Sequence, residues 1–151
     1  MRVRRYLLVL LGAGVGGWSG EALWFLLSKR RVYVQTYFKR VPFSPVWALA
    51  GGLSLVLARW LHGQRLGRKA LAYYLVLNGF EYLAGALELR VRGARSWDYA
   101  RNTRWHLHGH VDLPHSLTWM GLALLGDRVL APRLGAFVWP PEAGGAAAER
   151  R

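Results

Sequence analysis

Cysteine is absent from the 151 residues, which excludes disulfides, thiolate metal clusters and a cysteine nucleophile. Acidic residues are scarce as well: 8 Asp and Glu stand against 21 Lys and Arg, a net charge of +13. No Walker sequence, phosphate-cradling glycine loop, nucleophile elbow or HExxH occurs, so the common nucleotide-binding, serine-hydrolase and zinc-protease signatures are missing. Ser116 lies next to His115, but adjacency in sequence is poor evidence for a catalytic pair. What the chain does have is an apolar fraction of 53%, eight Trp and 18 Gly, with a mean hydropathy of only +0.11. A soluble basic domain has little use for that combination.

The neutral average hides a segregation. From Tyr6 to Leu27 a single charge, Glu21, interrupts 22 residues, and basic residues bracket the run at Arg2, Arg4 and Arg5 and at Lys29, Arg30 and Arg31. That length crosses a bilayer core. Further apolar runs cover Phe43 to Leu61, Ala70 to Leu89 and Leu113 to Ala131. A soluble bundle helix shows a polar stripe at 3.6-residue period, and the first run shows none. The expectation is an all-α membrane bundle of four transmembrane helices over residues 1–139, with an interfacial loop between the third and fourth, and a polar, disordered tail over 140–151. Seven of the tryptophans, Trp18, Trp24, Trp47, Trp60, Trp97, Trp105 and Trp119, fall mostly toward run ends, in the manner of an aromatic belt. The first run is read as a retained span, because it is longer than a signal-peptide core and carries Glu21. Four spans divide Lys and Arg 11 to one side and 10 to the other, so charge does not set orientation. It also argues against a nucleic-acid partner, which requires one continuous basic patch. Anionic lipids fit two basic faces better.

Within the runs the rare polar residues stand out. Glu21 follows Trp18 on the first, while Asn78, Glu81 and Glu88 fall on nearly one face of the third. An acid at the centre of a membrane helix costs about 2.5–3.5 kcal/mol on insertion scales, so these groups should face a cavity, a partner or the bundle interior. Glu88, beside Arg90 and Arg92, has the simplest reading, an ion pair at the interface. Gly12, Gly16 and Gly20 recur every fourth residue and predict a close helix–helix contact, with self-association or a partner subunit as its use. The loop SWDYARNTRWHLHGHVDLPH holds His106, His108 and His110, whose alternate spacing would put them on one side of an extended segment as weak candidate metal ligands.

The third run and this loop also carry a family likeness. EYLAGALE with Glu81 and Glu88, then Trp97-Asp98-Tyr99, then Gly109, Leu113, Ser116 and Trp119 resembles the CmpB-like membrane family, grouped under the label ABC-transporter type IV. Trp18 with Glu21, and Trp47 with Gly51 and Gly52, resemble that family's first- and second-helix signatures, and the likeness covers about 110 residues in order. The chain departs from the pattern at Ala100, where the family has serine, and at His110, where it has Arg or Gln. The resemblance implies a small polytopic membrane protein, with eukaryotic four-helix relatives of unknown function, in a transport-related role. Residues and resemblance together give the expectation of a permease-like component of the cell membrane with an acid-lined cavity. Trp18, Glu21, Asn78, Glu81, Glu88, Trp97, Asp98, Tyr99, Ser116 and Trp119 are its candidate lining, and no cofactor and no catalytic residue is expected. The alternatives are an accessory protein without turnover and an intramembrane lipid-modifying enzyme.

Overall fold

A computed structural model describes residues 2–29, 41–101 and 103–140. Among the described residues five α-helices carry the fold: α1 (Arg2–Lys29), α2 (Pro45–Trp60), α3 (Leu66–Arg92), α4 (Leu113–Val129) and α5 (Ala131–Val138). The all-α expectation holds, and the first four helices fall on the four apolar runs. The fifth was not anticipated. Leu130 ends α4 and begins α5, and Pro132, which needs no N–H partner in a first turn, sets the new direction. Residues 141–151 of the expected tail lie outside the described residues.

Among the described residues one helix is long and apolar enough to cross a membrane: Val3–Leu27 within α1, where only 6% of the apolar stretch is buried inside the chain. The four-span expectation is thus met in part. α2 is apolar but has 16 residues, about 24 Å of helix against a bilayer core of about 30 Å. Asn78 and Glu81 dilute α3, and α4 stops at 17 residues.

Local chemistry explains the boundaries. Ser44 caps α2, its Oγ accepting from Trp47 N at 3.4 Å, and its own N–H donates to Gly14 O in mid-α1 at 3.1 Å. α3 ends at Gly93, whose left-handed conformation (φ 65°) lets its N–H close on Leu89 O. A 3-10 turn at Tyr99–Arg101 then leads to a two-residue hairpin, β1 (His106–Leu107) against β2 (Val111–Asp112). Asp112, itself buried, caps α4 through His115 N at 2.8 Å.

α1 packs mainly on α2, and α3 on α4. The α1–α2 contact runs through glycines, though not the expected ones. A side chain at Gly14 would collide with Phe43, one at Gly17 with Trp47, one at Gly51 with Ala13, and one at Gly52 with Leu10 and Tyr6. Gly12, Gly16 and Gly20, by contrast, have nothing within 4 Å of where a Cβ would stand. The stripe predicted for close packing therefore makes no such contact among the described residues. At the chain-terminal end α5 closes the bundle: Val138, 1% exposed, clusters with Val9 and Leu55, and the Arg5 and Arg59 guanidinium groups lie over the Phe137 and Trp139 rings. Outward faces are strongly apolar, with Leu83 at 67% and Leu87 at 62% exposure.

Candidate functional site

Between the helices lies a cavity of about 770 Å³. Glycines face it from α1: Gly12 and Gly16, two of the three glycines in the stripe without packing partners, are among its lining. Most of the wall is apolar. Its polar groups gather at two places.

The first gathering lies toward the loop between α3 and α4. Trp47 on α2 donates its indole N–H to Glu21 Oε2 on α1 at 3.2 Å. Trp47 also meets Trp119 of α4 edge to face, ring centres 4.8 Å apart and planes at 83°. Tyr99, on the 3-10 turn, donates its hydroxyl to Glu81 Oε1 at 2.8 Å, while its ring stacks on His115 at 4.5 Å. A hydrogen bond to a carboxyl group that is otherwise cut off from water offsets part of the cost of its burial, and each of these acids has one such donor. Burial first, then the neighbouring Glu81 charge, holds the Tyr99 phenol above its ordinary range, so it stays a donor at physiological pH.

The loop that delivers Tyr99 is tied down on all sides. Trp97 Nε1 donates to His110 O at 2.9 Å, and Tyr99 N donates to Gly109 O at 3.0 Å. Asp98 accepts from Ala100 N at 3.0 Å and pairs with Arg95 at 3.3 Å, capping the turn from outside the cavity. Glu88, with little side-chain exposure, holds the loop's start: Arg92 donates to it at 2.6 Å, Ser96 N at 2.8 Å, and the Ser96 hydroxyl closes on it too. Gly85 admits this loop against α3, because a Cβ there would stand 2.7 Å from His110 Nδ1 and 3.2 Å from Trp97 Cζ2.

At the second gathering, Asp127 of α4 pairs with Lys69 of α3 at 2.6 Å and accepts from the fully buried Tyr73 hydroxyl at 3.1 Å. Sequence reasoning missed this pair. Its available signal was the lone acid that ends the fourth apolar run, set against a lysine that precedes the third.

Of the ten residues singled out from the sequence, Glu21, Glu81, Trp97, Tyr99 and Trp119 stand on the wall of this cavity. The other five are placed elsewhere: Trp18 is half-buried on α1, Asp98 and Glu88 hold the loop, and Ser116 donates to Asn78, whose amide in turn reaches Tyr74 O at 2.6 Å. The three loop histidines separate. The chain reverses at His108 (φ 52°) and Gly109 (φ 76°), so the segment is not extended long enough to align them. His106 Nδ1 accepts from Gly109 N, His108 shares a hydrogen bond with the Tyr82 hydroxyl at 2.8 Å, and His110 is buried with its ring edge-on to Tyr82. Burial, then Arg95 and His108, hold the His110 imidazole below its ordinary pKa. No group of three metal-binding side chains occurs among the described residues.

Comparison with known proteins decides the family. A family model described as "Putative ABC-transporter type IV" matches residues 8–144. The chain belongs to that family. The match runs from within α1 through α5, and takes in both polar gatherings of the cavity. No curated protein and no solved structure matches the chain.

Proposed function

We propose that this member of the ABC-transporter type IV family is a multi-pass membrane component that carries a small solute through, or binds it within, the cavity between α1, α2, α3 and α4. The observation carrying the reading is the inversion of polarity. Leucines crowd the outside, while Glu21, Glu81 and Asp127 line the inside, the reverse of a soluble fold and the arrangement lipid favours. α1 crosses by its own length. α2, α3 and α4 with α5 complete the crossing together with their flanking residues, local thinning of the bilayer accommodating the shorter ones.

The test is release of encapsulated radiolabelled choline, glutamate and sucrose from liposomes carrying the purified chain. The reading expects one charge class to leave faster than from empty liposomes, and Glu81→Gln to slow it. Equal leakage of all three at the empty-liposome rate contradicts transport by the chain alone. The second reading, an accessory subunit without turnover, draws on the outward side of α1, where Leu7, Leu11, Leu23 and Leu27 stand exposed for a partner or for lipid. Recovery of a stable larger complex from mild detergent, with no flux from the isolated chain, supports it.

A further inference from the structure

We infer that the loop end of the cavity is a binding site for an organic cation with an apolar body; this rests on the reading of the cavity as a solute site. Charge is the first ground. The chain carries +13, yet among the described residues lining the cavity there is no Lys, Arg or His and there are three carboxylates. Asp127 is neutralised by Lys69 at 2.6 Å. Glu21 and Glu81 are held instead by neutral donors, the Trp47 indole and the Tyr99 hydroxyl, so a cation entering the site supplies the counter-charge that favours their carboxylate forms.

The second ground is the aromatic wall. Trp47 and Trp119 meet nearly at right angles and form a corner, each beside one of the two acids: Trp47 bonds Glu21, and Trp119 lies against Glu81 and Tyr99. Trp97 lines the same region. Indole faces attract alkylammonium and similar cations, most strongly where water is excluded. A bare metal ion suits the site poorly, because it needs a shell of oxygen or nitrogen donors and no such cluster exists among the described residues. An anion meets carboxylates with no basic group in the described wall. The remaining apolar wall takes a hydrocarbon body, and a volume of about 770 Å³ lies in the range of small-molecule sites.

Three probes of similar size separate the terms: benzyltrimethylammonium, neutral N,N-dimethylbenzamide and anionic benzylsulfonate, titrated by calorimetry into the full chain in lipid nanodiscs. The expected result is that the cation binds at least about tenfold more tightly than the neutral probe, with the anion weakest. Glu81→Gln and Glu21→Gln should each remove most of that preference while leaving the neutral probe within about twofold, which also verifies that the variant's cavity is intact. Should either variant fail to fold, Trp119→Leu, which takes an indole from the corner and leaves both acids, is expected to lower cation binding selectively. Equal binding of all three probes, or preference for the anion, overturns the cation assignment and leaves the solute cavity standing. Absence of binding by every probe overturns both.

Discussion

The two polar places in the cavity answer the same problem differently. At one, Asp127 meets Lys69 and Tyr73, and its charge is spent within the protein. At the other, Glu21 and Glu81 meet Trp47 and Tyr99, uncharged donors that hold the carboxyl groups in place and leave the counter-charge to whatever enters. An ion pair locks two helices together; a carboxylate held by uncharged donors keeps field available for something else. The contrast teaches that burial of an acid is not one kind of fact, and that the partner decides whether the acid is structure or site.

The largest disturbance should come from the seat of Trp47. Gly17→Leu places a side chain where the Trp47 ring lies and should cost about 3 kcal/mol by overpacking, read as a lowered thermal midpoint in detergent. It should also detach Trp47 from Glu21 and abolish cation preference. A variant of full stability means that α1 and α2 do not approach as described.

Next comes the comparison itself. Asp127→Ala strands the Lys69 ammonium and the Tyr73 hydroxyl, and should cost about 2 kcal/mol, below the range for fully buried pairs because Lys69 keeps some solvent contact. Glu81→Gln retains an oxygen to accept from Tyr99 and should cost less than about 1 kcal/mol while changing binding. Equal destabilisation by the two would show both acids to be structural and erase the distinction.

The smallest effect concerns pH. Because His110 binds a proton less readily in the fold than in the unfolded chain, its contribution to stability is complete above the ordinary imidazole value of about 6.5 and is lost as pH falls from there toward the lowered folded value. His110→Phe keeps the ring against Gly85 and Tyr82 and removes the titration, so the fall in thermal midpoint between pH 8 and pH 5 should shrink. An unchanged fall assigns the acid sensitivity elsewhere.

Much of the loop end was legible beforehand. Glu21 and Glu81 are isolated acids in apolar runs, and insertion cost alone marks such residues as inward-facing, while the Trp97-Asp98-Tyr99 block stood out by its family likeness. Their partners were not legible. Trp47 and Glu21 lie 26 residues apart on different helices, and Lys69 and Asp127 lie 58 apart, so each contact depends on helix rotation that no local pattern records. The glycine stripe was visible but its use was not: spacing puts Gly12, Gly16 and Gly20 on one face, yet it does not say whether that face meets a helix or a void. The histidines were misread because two consecutive left-handed residues, His108 and Gly109, turn an apparent strand back on itself.

The central claim, a solvent-reachable cavity inside a bundle whose outside is lipid, has a direct test. The native chain contains no cysteine, so each introduced thiol reports alone. Ala123→Cys, in the cavity wall, and Leu83→Cys, on the exposed outer face of α3, can be treated in liposomes with a charged, membrane-impermeant methanethiosulfonate. The account predicts that Ala123→Cys reacts and Leu83→Cys, shielded by lipid, does not. Rapid labelling of Leu83→Cys with Ala123→Cys silent would contradict it.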